Sequence, residues 1–418
     1  MSKTSYRALL AKRGFAGLLL AVSVGRLTSG LLPFGLAALF VQSASYLAAG
    51  VVAVCFMFVT SITAPWRGRY IDRHGARRTL PFFSIGSIVL IATGFAVIHY
   101  SQIKLAGAAI VSVGASLTPI NSVVLRSIWS RVAPDEAQRK ALHALDSLLE
   151  EGIYMLTPLM VSVIWSFAGP DWAILLACCS IGAETYLLFW FGKIAGVDAL
   201  FDEKHGVRST SSNRAKMKAP VIFTRPGLSI AVPMFAFALT MGIGTIAYAA
   251  WSSAHYTTSL TGIFASLSSA GGLVGGLIYG KAKISDSTAS RLYFGMPAFV
   301  GLCTVPMLLT TSARIAGCVA LVSGLVMTPM FIAAYVRVPL TFGKRHFNEA
   351  NASIGAAYNI GSGLGSLLAG AIIQHGQFRT AFACSVFVPI VASFVGAMIS
   401  KSGEQPVEEA LSEQALNE

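Results

Sequence analysis

Five ionisable residues lie inside long apolar stretches of this chain: Arg26, Asp146, Glu150, Glu151 and Glu184. Charged groups in a hydrocarbon layer are costly, and they usually mark the path of an ion or a substrate. Two carboxylates one helical turn apart in a medium of low polarity cannot both stay ionised cheaply, so one of them is expected to hold a proton. These residues therefore predict proton coupling across a barrier.

Four residues of one segment lie on a single stripe of a helix because they are spaced four apart: Asp146, Glu150, Tyr154 and Pro158. Glu151 begins a second stripe about 100° away. Tyr154 continues the acidic stripe, so we expect it to contact a substrate. A structural alternative stays open for Asp146 and Glu151, which lie near enough to the cytoplasmic end to pair with Arg139 or Lys140.

The depths of three of these residues agree. Arg26 lies about 12 residues into the first apolar run, or ~18 Å at 1.5 Å per residue. Glu150 and Glu184 each lie ~14 Å from the same side by the same arithmetic. Arg26 and Glu150 are therefore expected at comparable depth. For Glu184 the alternative is a local partner on the outer side of the helices.

The elements that carry these residues are predicted to be membrane-spanning helices. The 418 residues are 55% hydrophobic and 12% charged, with a mean hydropathy of +0.68, whereas soluble proteins contain about 25% charged residues. Apolar runs of membrane length predict twelve spans, near residues 14–41, 46–65, 79–98, 104–125, 141–167, 172–192, 226–250, 257–280, 292–311, 315–341, 347–373 and 378–400.

The distribution of Lys and Arg predicts the orientation of these spans. With the N-terminus inside, 27 of the 31 basic residues fall in cytoplasmic segments and three, Lys104, Arg314 and Arg379, fall outside. The positive-inside rule then places both termini in the cytoplasm. The net charge of +13 is dispersed over separate loops, so it indicates topology and contact with anionic lipids, and it does not indicate nucleic-acid binding.

The loop after the second span has the pattern G-x-x-x-D-R-x-G-x-R-R, formed by Gly68, Asp72, Arg73, Gly75, Arg77 and Arg78. Gly68 is expected to let a helix end close to its neighbour, and Gly75 to allow a left-handed turn. Asp72 is expected to cap a helix N-terminus and to pair with Arg73 or Arg77.

This loop resembles the one between helices two and three of the major facilitator superfamily of secondary transporters. In that family the loop is a cytoplasmic latch that is made and broken as the two halves rock. Arg126, where the fourth span leaves the membrane, is expected to be a further latch partner of Asp72 or to contact lipid headgroups. The resemblance implies an all-α integral membrane fold, a bundle of twelve transmembrane helices in two six-helix halves. Because it also places helices one and five in the same half, Arg26 and Glu150 are expected to pair.

The predicted domain organisation follows from composition. Residues 1–193 form the N-terminal six-helix half, and the polar, basic stretch 194–225 is a cytoplasmic linker. Residues 226–400 form the C-terminal half. The tail 401–418, with its Glu residues, is expected to be disordered.

The segments Ser45–Gly50, Arg67–Arg69 and Leu145–Glu151 resemble those of a group of bacterial facilitators that includes effluxers. The resemblance implies a location in a cell membrane, the bacterial inner membrane. The helix-five signature of drug/proton antiporters is not met, because Thr157 stands where a Gly precedes Pro158.

In the second half, Tyr248, Tyr358 and Asn359 are candidate substrate contacts. For Asn359 a hydrogen bond between helices is the alternative.

No sequence motif indicates an enzyme, a metal site or a cofactor. The leading hypothesis is proton-coupled export of a small organic or amphipathic compound, with the proton gradient as the energy source and membrane lipids as the other partner of a functional monomer. A proton-symporting uptake carrier is the second hypothesis. A membrane sensor that does not transport is the third, although the buried carboxylates argue against it.

Overall fold

The computed structural model describes residues 13–43, 45–121, 124–125, 128, 136–202, 224–282, 286–342, 347–375 and 378–416. Within this part of the chain the helices, in order, are α1 Phe15–Gln42, α2 Tyr46–His74, α3 Ala76–Tyr100, α4 Lys104–Ser116, α5 Glu136–Ala168, α6 Asp171–Ile194, α7 Arg225–His255, α8 Leu260–Lys281, α9 Asp286–Thr304, α10 Ala313–Gly324, α11 Met327–Phe342, α12 Phe347–Ile373 and α13 Phe378–Leu416. Two short 3₁₀ helices follow α6 and α9, at Asp198–Phe201 and Val305–Leu308.

The helices confirm the predicted all-α membrane class. In the described part of the chain, ten helical segments are long and apolar enough to cross a membrane, and two shorter apolar ones cover Lys104–Ala115 and Gly152–Ala168. Each of the twelve predicted spans is matched by one helix or by two consecutive ones. The chain is a multi-pass membrane protein.

Two spans that were predicted to be continuous are interrupted. The span 104–125 leaves helical geometry after Ser116, and the span 315–341 is divided between α10 and α11. Pro119 and Pro329 explain the interruptions, because proline lacks a backbone N–H and its ring clashes with the preceding turn. Thr118, which precedes Pro119, is not helical, as expected because the residue before a proline is disfavoured in helical geometry.

The chain divides into two compact units. The first contains residues 1–43 and 58–213, and the second contains 44–57 and 214–418. In the first unit, α1 packs along α6 and α5, and α3 packs along α4. The 3₁₀ helix Asp198–Phe201 also belongs to this unit, because Phe201 is fully buried in its core. The predicted linker is therefore folded as far as Asp202.

In the second unit, α7 packs along α12 and α13. The beginning of α2 also clusters here, which the predicted division at residue 193 did not anticipate. The reason is a close backbone approach at Gly50 and Gly370: a methyl group on either would crowd the backbone at Ser366 or Tyr46, respectively.

The C-terminal tail also differs from the expectation of disorder, since α13 continues to Leu416. Its last part is rich in Ala, Glu, Gln and Leu, residues that favour helical geometry and that outweigh Pro406 in this segment.

Candidate functional site

The expected pair between the first and fifth spans is present. Nη2 of Arg26 in α1 lies 3.3 Å from Oε2 of Glu150 in α5. Arg26 is only 7% exposed and Glu150 is 28% exposed. A buried guanidinium needs such a partner, because the removal of an unpaired charge from water is expensive. The pair that the depth arithmetic predicted is confirmed as a contact, and its role in proton coupling stays a prediction.

Glu184 of α6 lies beside the same turn of α1. It is 5% exposed, and its carboxyl group fills the space beside Gly25, where an added methyl group would overlap it. Arg26, the next residue in α1, interacts electrostatically with this carboxylate. Of the two alternatives for Glu184, the structure thus selects the interior of the unit.

Three polar side chains complete the surroundings of Glu184. The Asn121 amide donates to the Glu184 carboxylate and lies 3.5 Å from the hydroxyl of Thr185. That hydroxyl shares a 2.6 Å hydrogen bond with Ser84 of α3. Asn121, Thr185 and Ser84 are all buried. We call Arg26, Glu150, Glu184 and Asn121 the charge cluster.

The charge cluster combines one fixed cation with two carboxylates. If both carboxylates were ionised, the cluster would carry a net negative charge in a buried setting. One bound proton would make it neutral. Proton binding and release at this cluster stay a prediction.

The other predicted members of this site are tested only partly. Asp146 and Glu151 lie in α5, but their side chains are outside the described part of the structure. Tyr154 is exposed at 41%. Thr157, which the sequence reasoning treated only as a departure from a motif, is fully buried and fills the space beside Gly30 of α1. Gly25 and Gly30 together let α1 lie close to α6 and α5.

The loop between α2 and α3 agrees with the expected latch in part. Gly75 has a φ of +85°, the left-handed region in which glycine alone is unstrained. The expectation for Gly68 was wrong, because α2 continues past it to His74 and an added methyl group would meet only the Ile120 Cδ1 atom, at an ordinary 3.9 Å.

Arg77 contacts two carboxylates that the sequence reasoning did not consider. Its Nη1 atom lies 2.8 Å from Asp198 and 3.3 Å from Asp202. Both partners belong to the stretch after α6 that was taken for a linker, so the ion pairs tie the α2–α3 loop to the end of α6 within the first unit. Arg73 and Arg78 are exposed. The Asp72 side chain and all of Arg126 lie outside the described residues, so their latch roles stay predictions.

The candidate substrate contacts of the second unit lie in aromatic surroundings. The ring of Tyr248 lies 5.2 Å from Phe264 and 5.4 Å from Phe382, measured between centroids. Tyr358 lies 4.9 Å from Phe331. Asn359, next to Tyr358 in α12, is half-buried. These positions fit an apolar and aromatic wall, and substrate binding by these residues stays a prediction.

Arg337 of α11 is a further cation, which lies inside the predicted span 315–341 but was not among the five ionisable residues of the sequence analysis. Its guanidinium carbon lies 4.8 Å from the ring centroid of Phe294 and 5.7 Å from that of Tyr293, within the range of a cation–π interaction. The sequence contained a signal for this cation, because Arg337 lies within an apolar stretch.

Among the described residues, no group of three or more His, Cys, Asp or Glu side chains could hold a metal ion.

No protein-family model matches the sequence, and no curated protein matches it either. Solved structures do match over almost the whole chain. One is a bacterial homologue of the iron transporter ferroportin in an inward-facing state, which is 14% identical with a TM-score of 0.69 and covers 95% of this chain and 100% of that chain.

Two further matches are the nucleoside transporter NupG (10% identity, TM-score 0.67, 92% of this chain and 98% of that chain) and the peptide transporter POT in complex with sulfate (12% identity, TM-score 0.69, 96% and 98%). At such low identity the likeness shows the fold alone. The chain therefore shares the all-α, membrane-spanning fold of these transporters, which agrees with the predicted fold class.

Proposed function

We propose that this chain is a secondary active transporter that exports a small organic or amphipathic compound by alternating access and is driven by protons that bind at the charge cluster. The observation that carries the proposal is the buried contact of Arg26 with Glu150 at 3.3 Å, with the Glu184 carboxylate beside the preceding Gly25. The fold, which it shares with transporters of nucleosides, peptides and iron, supports a transport function.

In this proposal Arg26 attracts both carboxylates, that of Glu150 and that of Glu184. While Arg26 contacts Glu150, Glu184 keeps its hydrogen bond from Asn121, and the cluster stays neutral by holding one proton. A movement of α1 against α5 or α6 changes these distances, and the proton is then released. Such a carrier must be neutral facing one compartment and ionised facing the other, so proton flow becomes tied to the conformational cycle.

A second candidate is proton-symporting uptake of a nutrient or metabolite. One observation favours it: Thr157 occupies the position at which drug/proton antiporters have a glycine, and it packs against Gly30 of α1. Alternating access works in either direction, so the charge cluster serves both functions equally well. The direction of proton movement separates them.

We further propose that the proton gradient is the only energy source, without a bound cofactor, and that the protein works as a monomer among lipids of a bacterial inner membrane. Both termini would then lie in the cytoplasm, as the positive-inside rule predicts. Asp146 and Glu151 would assist proton transfer from the cytoplasmic end of α5, and Tyr154, Tyr248, Tyr358 and Asn359 would contact the substrate.

The test uses the full-length protein in liposomes that contain a trapped pH-sensitive dye. Candidate compounds are first selected by their ability to raise the unfolding temperature of the purified protein, from a panel of nucleosides, short peptides and lipophilic cationic dyes. A selected compound should then move protons when it is added, in opposite directions for export and for uptake. Binding without movement would identify a sensor, and movement without protons would refute the coupling.

A further inference from the structure

The interruption of the fourth span leaves backbone carbonyl groups without their helical donors. Pro119 has no N–H, so the carbonyl oxygen of Ala115 loses the bond it would receive in a continuous helix. That oxygen accepts instead from the N–H of Thr118, at 3.1 Å, and from the Thr118 hydroxyl, at 2.8 Å. Within a membrane-spanning segment every such group needs a donor from the protein, because lipid supplies none.

A buried arginine of α2 supplies the donor at the interruption itself. Nη1 of Arg67 donates to the carbonyl oxygen of Thr118 and lies 3.2 Å from the Thr118 hydroxyl. Arg67 is only 6% exposed. Its positive charge lies at the C-terminal end of α4, where the helix dipole favours a cation. Thr63, one turn earlier in α2, also contacts this end, through the carbonyl oxygen of Ser116 at 3.4 Å.

The residue that the interruption positions is a member of the charge cluster. Asn121 follows Thr118 by three residues, is 1% exposed, and donates to Glu184. Thr118–Ile120 are not helical, and the path from α4 to Asn121 is tied back to α4 at Thr118, whose N–H and hydroxyl both donate to the carbonyl oxygen of Ala115. The side chain of Arg67, from α2, holds this path in place through its contact with Thr118.

We infer that Arg67 is a positioning residue for the charge cluster: by holding the non-helical segment at Thr118, it places the Asn121 amide against the Glu184 carboxylate. This inference rests on the proposed function, since it gives Arg67 a part in proton binding. The charged groups that surround Glu184 in the described structure are Arg26 from α1 and, through Arg26, Glu150 from α5.

The test measures the protonation of the Glu184 carboxyl group directly and needs no substrate. Infrared difference spectra of the reconstituted protein report the protonated carboxyl group as pH is varied, and the band that disappears in Glu184→Gln belongs to Glu184. We expect Arg67→Gln to shift the pH midpoint of this band by about one unit, because the Asn121 hydrogen bond is displaced. Arg67→Lys keeps the charge and donors and should restore most of the wild-type midpoint.

A double-mutant cycle separates positioning from a general loss of stability. In an Asn121→Leu background, Arg67→Gln should no longer move the midpoint, since the group through which it acts is gone. Arg314→Gln, at an exposed arginine at the start of α10, is the matched control and should leave the midpoint unchanged. If Arg67→Gln does not insert, Arg67→Met replaces it, because it places an apolar side chain at this position and removes the donors that contact Thr118.

Two outcomes contradict different claims. An unchanged midpoint in Arg67→Gln, or an equal shift with and without Asn121, would overturn the role of Arg67 and leave the proposed function intact. A wild-type spectrum in which no Glu184 band changes with pH would instead contradict Glu184 as a proton site, and with it the proposed function of the cluster.

Discussion

Glu184 of α6 occupies the space that the missing side chain of Gly25 leaves in α1. The two residues are 159 positions apart in sequence, and Arg26 follows Gly25 directly. Because Gly25 has no side chain, the Glu184 carboxylate can lie beside Arg26, the one arginine of the first span.

Gly25→Ala should disrupt proton coupling without removing any charged group. The added methyl group overlaps the Glu184 carboxyl group, so the carboxylate must move, at a cost typical of an overpacked core, about 1–3 kcal/mol. We expect gradient-driven transport to fall by about five- to a hundredfold, since 1.4 kcal/mol corresponds to a factor of ten.

The matched control is Gly182→Ala in α6, where the new methyl group would meet only the Ile88 Cδ1 atom at 3.6 Å, an ordinary contact. That variant should transport normally, measured per inserted protein. Equal transport by both alanine variants would show that the position of Glu184 does not matter.

Glu150→Gln should abolish proton-driven accumulation while downhill exchange of the substrate continues. The amide keeps the size of the side chain but cannot bind the proton. Arg26→Ala should be more damaging, because it leaves two carboxylates without their cation, and removal of one partner of a buried pair costs about 3–5 kcal/mol. Thermal unfolding of the detergent-solubilised variants measures the second effect. A fully stable Arg26→Ala protein would argue against the pair as the centre of the cluster.

The α2–α3 loop should control the conformational cycle rather than stability. Arg77 contacts Asp198 and Asp202 at the surface, where ion pairs contribute little to folding. Arg77→Gln and Asp72→Asn should therefore leave insertion and unfolding temperature nearly unchanged but reduce transport sharply. Normal transport rates in both well-inserted variants would refute a latch at this loop.

Both termini and the linker should be cytoplasmic, as the distribution of basic residues predicts. Single cysteines introduced beside Lys104, Arg314 and Arg379 should react with a membrane-impermeant thiol reagent in intact cells. A cysteine placed within residues 203–223 should react only after the membrane is opened. Labelling of the linker in intact cells would show the opposite topology and contradict this prediction.

The sequence predicted the parts of the site that depend on helical periodicity. Arg26 and Glu150 lie in continuous helices, so a rise of 1.5 Å per residue placed them at comparable depth, and the structure brings them together. Gly75 was predicted correctly for the same local reason, since a basic turn between helices needs a left-handed residue.

The parts that sequence reasoning missed depend on departures from periodicity. Pro119 interrupts the fourth span, so the location of Asn121 next to Glu184 does not follow from counting residues. The Thr118–Pro119 pair was the available signal, because it removes a helical donor and disfavours helical geometry in one step. Asp198 and Asp202 were missed because a polar stretch was taken for a linker, whereas Phe201 anchors it in the core.

The central claim is that Glu150 and Glu184 share the coupling proton under the control of Arg26. The most direct test is substrate accumulation against an imposed pH gradient, in liposomes that contain equal amounts of wild-type, Glu150→Gln or Glu184→Gln protein. Wild-type accumulation should follow the gradient, and each variant should equilibrate the substrate without concentrating it. Gradient-dependent accumulation that survives in both variants would contradict the claim and place the proton site elsewhere in the chain.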